Sequence, residues 1–137
     1  MKLVFINRND IYDKVVLAVT GGKYAHCGIV IDHTLFQALP GQGVVSSPFN
    51  ISDGWTCVNL PNLDERAALK FVAHELGCGY DWCGVARFVL PFLKPSKSRW
   101  FCSELAAAVV TAGGYKGLGK DWKFTPQGLY ERVVYGS

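Results

Sequence analysis

Apolar residues recur along this chain with two periods, and each change of period marks a change of element. A short apolar run, Leu3–Ile6, reads as an edge strand or as the lead into a first helix. That helix is predicted over Ile11–Val19, with Asp10 as N-cap and Gly21-Gly22 closing it. Strand-like runs follow at Ala25–Ile31, Thr34–Leu39 and Gly43–Ser46, and a fourth covers Trp55–Leu60 after the Ser52-Asp53-Gly54 turn. The spacing then becomes helical. Asp64 caps a helix in which Leu69, Phe71, Val72 and Leu76 keep helical spacing, ended by Gly77 and Gly79. Further helices are predicted from Asp81 to Phe88 or Val89, over 102–112 up to Gly113-Gly114, and from Pro126 to about Val134 with Thr125 as cap. The order is helix, strands, helices. It implies an α+β fold with a small, mostly antiparallel sheet flanked by helices.

No repeat, low-complexity tract or linker interrupts the 137 residues, so a single domain over 1–137 is expected. Half the residues are hydrophobic and 18% are charged, a balance that buries a core. The formal charge of +3 is too small and too scattered for nucleic acid to be the expected partner. Lys94, Lys97 and Arg99 form the nearest approach to a basic patch, read either as a solvated loop or as an attractor of an anionic substrate group. The N-terminal apolar run is too short for a signal-peptide core, and Arg87 and Pro91 interrupt the best candidate span. The expectation is a cytoplasmic protein without stable membrane insertion; delivery by a signal-independent route stays open.

Five cysteines, at 27, 57, 78, 83 and 102, are odd in number and scattered, which suits reduced thiols better than a disulfide framework. Cys78, Cys83 and His74 fit no common zinc spacing, and no metal or other cofactor is expected.

Cys102 differs from the others because a helix is predicted to begin there. Helix N-termini carry unpaired N–H groups and the positive end of the dipole, which lower a thiol's pKa and make it a nucleophile. The usual partner of such a thiol is a histidine, and His26 stands on the first long strand. Alternation puts His26, Gly28 and Val30 on one face, so Cys27 points away from the histidine and reads as core. A two-residue turn at Asp32-His33 would set Gly28 opposite Gln37 and Gln37 diagonal to His26. Gln37 is then able to accept the imidazole N–H and fix the tautomer. Bringing Cys102 to His26 is expected to require its helix on the face that carries His26. His33 reads as a turn residue and His74 as a helix-surface or packing residue.

Four segments in this order resemble the circularly permuted branch of the NlpC-type, papain-like cysteine hydrolases, especially the YaeF/YiiX-like group. They are Tyr24-Ala25-His26-Cys27-Gly28-Ile29-Val30, Gly79-Tyr80-Asp81-Trp82-Cys83-Gly84, Phe101-Cys102-Ser103-Glu104-Leu105 and Thr125-Pro126-Gln127-Gly128-Leu129. Histidine before cysteine is the order of the permuted branch. The resemblance implies a papain-like fold with Cys102 as nucleophile, His26 as base and Gln37 as the third, orienting residue. Many relatives carry a carboxylate at that third place, whereas glutamine holds the tautomer without adding charge. The Gly-Tyr-Asp segment and the Thr-Pro helix correspond to scaffold.

The chemistry so implied is attack of Cys102 on a carbonyl and release of an acyl-enzyme to water or another acceptor. The backbone N–H of Cys102 or Ser103 would meet the oxyanion; Tyr24 is a candidate second donor and, with Trp100, a candidate substrate contact. Phe88, Leu90, Phe92, Leu93 and Trp100 either line an acyl pocket or pack as core and loop. The expected substrate is a small amide or peptide such as a cell-wall peptide. The alternatives are a lipid acyl hydrolase or acyltransferase, a catalytically silent binding module, and a redox-sensing thiol protein for which the cysteine spacing gives no obvious resolving partner.

Overall fold

A computed structural model describes residues 1–7, 11–80, 99–119 and 124–136. Asp10, the helix expected from Asp81, Cys83, Lys94 and Lys97, and the run Phe88 to Leu93 lie outside them. In chain order the elements are β1 (Lys2–Ile6), α1 (Ile11–Thr20), β2 (His26–Ile31), β3 (Thr34–Leu39), β4 (Gly43–Pro48), β5 (Thr56–Asn59), α2 (Glu65–Glu75), β6 (Gly79–Tyr80), β7 (Arg99–Trp100), α3 (Cys102–Ala112) and α4 (Pro126–Tyr135). The result is an α+β fold: a five-stranded antiparallel sheet with helices packed on it. The pair β6–β7 is parallel and was not anticipated, two residues being too short to leave a periodic signal.

The sheet order is β4-β3-β2-β1-β5, which makes β1 an interior strand rather than the edge its length suggested. Its composition accounts for this. Leu3 and Phe5 face one side, Val4 the other, and all three are fully buried, so both faces and both edges of β1 need cover. The β2–β3 hairpin closes as expected. Ile31 pairs with Thr34 across Asp32 and His33, whose φ angles of 48° and 64° are those of a type I′ turn.

Helix caps also follow the sequence. The Asp64 side chain accepts the Ala67 N–H at 3.1 Å, and that of Thr125 accepts the Gly128 N–H at 2.9 Å. Residues 102 to 110 of α3 are all buried, as expected of a helix whose every face meets protein. One side packs across β2 and β3, and another meets α2. The core therefore lies between α3 and the sheet face formed by Leu3, Phe5, Cys27, Ile29, Phe36 and Ala38. Ala106 and Ala107, fully buried, let the helix come close to the strands. Each large aliphatic or aromatic side chain sealed here contributes about 1.5–3 kcal/mol.

Candidate active site

The β1–β2 ladder runs on to the pair Ile6–His26, whereas the β2–β3 ladder stops at Ile29–Phe36. Beyond that point Gly28 and Gln37 still face each other closely, and α3 packs across both strands. Cys102 is the first residue of α3, and its N-cap, Phe101, has no side-chain oxygen to offer the first turn. The Cys102 sulfur accepts the backbone N–H of Cys27.

Helix α3 lies on the face carrying Cys27, Ile29 and Ile31, not on the face of His26 as the sequence reading required. His26 projects to the opposite face, that of Val4, Val30 and Leu35, and its ring centroid lies 5.9 Å from that of Trp55. The two residues meet nonetheless because Cys102 sits at the start of the strand. There a sulfur reaches the residue on either face. Their meeting was correctly expected; the route was not.

Gln37 completes the group. One step beyond the Ile29–Phe36 pair it faces Gly28, and its Oε1 lies 2.7 Å from His26 Nε2. With Oε1 as the acceptor, Nε2 carries the proton and Nδ1 is the nitrogen left to Cys102. His26 is 2% exposed, so this bond forms away from bulk water.

Cys102 is also 2% exposed, and burial on its own would push its thiol up. Hydrogen bonds to the sulfur from the Cys27 thiol and from His26, the charge of the His26 ring and the Cys27 N–H outweigh it. They hold Cys102 well below the ordinary thiol range. The contact acts oppositely on its partner. Burial first, then the hydrogen bond to Cys102 and the negative charge there, push Cys27 well up. The site thus pairs a thiol whose pKa is lowered with one whose pKa is raised. Cys78 is raised as well, by burial and then by its 3.3 Å hydrogen bond to the Glu75 carboxylate and that group's charge.

The other sequence candidates fall as follows. Ser103 is fully buried and its hydroxyl donates to the Phe124 carbonyl, tying the first turn of α3 to the approach to α4. The Tyr24 ring packs against Phe5 and Tyr130, and its hydroxyl donates to Thr56 Oγ1 at 3.2 Å. The Trp100 backbone pairs with Tyr80; its side chain lies outside the described structure. No group of three or more metal-ligating side chains with suitable geometry occurs among the described residues. Among those residues no helix is long and apolar enough to cross a membrane.

Three residues at the site escaped the sequence reading. Cys27 was assigned to core by alternation, which is true of its side chain but ignores that the core side holds Cys102. Trp55 reaches His26 because β5 lies beside β1, a neighbour relation with no local signal. Gln127, in the first turn of α4, accepts the N–H groups of Lys23 and Tyr24 at 3.0 and 3.3 Å and so fixes the chain entering β2 just before His26. No protein-family model and no curated protein sequence matches the chain.

Proposed function

We propose that this protein is a cysteine-dependent hydrolase of the amidase or peptidase type, built as a permuted papain-like domain and acting through a thioester acyl-enzyme. The observation that carries the reading is the buried Cys102 sulfur at a helix start, its pKa held well below the ordinary thiol range, beside a histidine whose far nitrogen is fixed by Gln37. Burial normally neutralises a thiol, and a site that reverses this is suited to nucleophilic chemistry.

The Cys102 thiolate attacks the carbonyl carbon of an amide. The N–H groups of Cys102 and Ser103 belong to the first turn of α3, whose N-cap Phe101 makes no side-chain cap bond, and they would meet the oxyanion. A donor of that kind lowers the barrier by about 2.7–4 kcal/mol. Protonated His26 then gives its Nδ1 proton to the leaving amine, and the thioester remains on Cys102. His26, neutral again, takes a proton from water as it attacks the thioester, and Cys102 leaves as thiolate. Gln37 keeps Nε2–H in place throughout. No cofactor enters these steps. The reading favours a small amide, peptide or acyl substrate and a reducing compartment such as the cytoplasm, since the nucleophile must stay a free thiol.

The test is intact-protein mass spectrometry after incubation with two panels, short peptide amides including cell-wall peptides, and lipid esters. The expected result is an acyl adduct on Cys102 from the peptide panel, absent in Cys102→Ala. Adducts from lipid esters alone would transfer the reading to a lipid acyl hydrolase or acyltransferase. No adduct and no turnover on either panel would leave a binding module in place of an enzyme.

A further inference from the structure

The hydrolytic steps use the Cys102 sulfur, the His26 ring and Gln37, and leave one nucleophilic group at the centre of the site without a task. That group is the Cys27 thiol. It is fully buried in the same cluster as Cys102 and belongs to the strand against which the start of α3 packs. We propose that Cys27 is a resolving thiol, and that hydrogen peroxide or an alkyl hydroperoxide converts Cys102 and Cys27 to an intramolecular disulfide that reversibly switches the site off.

The hydrogen bonds set the order of events. Both sulfurs are buried, but Cys102 is the one that His26 and the Cys27 thiol hydrogen-bond as donors, so the small oxidant reacts at Cys102 first. The ionised sulfur attacks one peroxide oxygen and the O–O bond breaks. With hydrogen peroxide the departing hydroxide takes the proton held on His26 and leaves as water, and Cys102 becomes a sulfenic acid. The Cys27 sulfur then attacks the Cys102 sulfur. The S–S bond forms, the S–O bond breaks, and the hydroxyl leaves as a second water with the Cys27 proton. Two thiols lose two electrons in all, and one peroxide becomes two waters.

The Cys27 thiol already hydrogen-bonds to the Cys102 sulfur, so the two reacting atoms are neighbours in the reduced fold. Its raised pKa keeps it protonated and unreactive until a sulfenic acid stands beside it. Cys57 and Cys78 do not join the buried cluster as sealed core residues and serve as internal controls.

This proposal rests on Cys102 being the nucleophile assigned above, but not on what it hydrolyses. The experiment treats the reduced full-length protein with one equivalent of hydrogen peroxide, blocks remaining thiols with iodoacetamide under denaturing conditions, and maps linkages by mass spectrometry without reduction. A linked Cys27–Cys102 peptide pair is expected. Native iodoacetamide labelling of Cys102 should be lost with it, and dithiothreitol should restore it. In Cys27→Ala, dimedone should trap the sulfenic acid on Cys102, and excess peroxide should drive it to the irreversible sulfinic acid. Oxidation of wild-type Cys102 to sulfinic acid with Cys27 still free would overturn the proposal and leave the hydrolase reading intact. Cys102 inert to both iodoacetamide and peroxide would overturn both.

Discussion

Gly28 and Gln37 face each other across the end of the β2–β3 ladder, and the side chain that one lacks is the space in which the other reaches His26. A Cβ at residue 28 would stand 2.9 Å from both Leu35 Cδ1 and the Phe36 carbonyl oxygen, and 3.4 Å from Gln37 Cβ. Leu35 can turn aside, but the carbonyl belongs to the strand. Gly28→Ala is therefore expected to destabilise the protein by about 1–3 kcal/mol. It should also lower turnover, because the strand shift moves Gln37 from Nε2. Thermal unfolding and rate are measured together; an unchanged melting temperature would mean that the glycine is not needed for close approach.

Gln37→Ala removes the acceptor of the Nε2 proton and frees the imidazole to take the other tautomer. Loss of a hydrogen bond to a group that becomes charged costs about 1.5–3 kcal/mol, or about a tenfold to hundredfold fall in kcat/KM. Gln37→Glu should retain activity or raise it, since a carboxylate adds charge stabilisation to the imidazolium. Steady-state kinetics on one substrate decide the matter. If Gln37→Ala equals wild type, the catalytic unit is the Cys102–His26 dyad alone.

The pH dependence of alkylation separates the cysteines. A thiol reacts as thiolate, so a lowered pKa preserves labelling as pH falls through the ordinary thiol range near about 8.5. Cys102 should behave so, and Cys78, raised by burial and by Glu75, should gain reactivity only above that range. Iodoacetamide labelling rates for each cysteine, followed by mass spectrometry across the pH range, test this. His26→Ala should move the Cys102 inflection upward, since it removes a hydrogen bond and a positive charge. An inflection for wild-type Cys102 at or above the ordinary value would sink the nucleophile assignment.

Trp55 lies beside the His26 ring, with Phe49 beyond it at 6.4 Å between centroids. Trp55 is thereby expected to help keep water from the His26–Gln37 bond, which gains strength where water is excluded. Trp55→Ala should lower kcat several-fold, and Trp55→Phe should keep most of it. Amide-proton or imidazole-proton exchange at His26, observed by NMR, should quicken in the alanine variant. Unchanged exchange would show that the ring shields nothing.

Sequence alone determined the parts whose causes are local. The Asp64 and Thr125 caps, the two-residue turn at Asp32-His33 and the start of α3 at Cys102 each depend on side chains within a few residues of one another. The approach of Gln37 to His26 belongs with them, because a hairpin's register is set by its turn and its diagonal neighbours then follow from the pleat. Tertiary structure decided the rest. The place of β1 inside the sheet, and hence the approach of Trp55 to His26, depends on which strands pair across long stretches of chain. The face taken by α3 was settled by burial: Cys27, Ile29 and Ile31 of β2 belong to the main core, and a helix buried from Cys102 to Val110 covers them. That choice brought the Cys27 thiol to the Cys102 sulfur. Strand alternation shows which way a side chain points, but only the packed fold shows what it meets there.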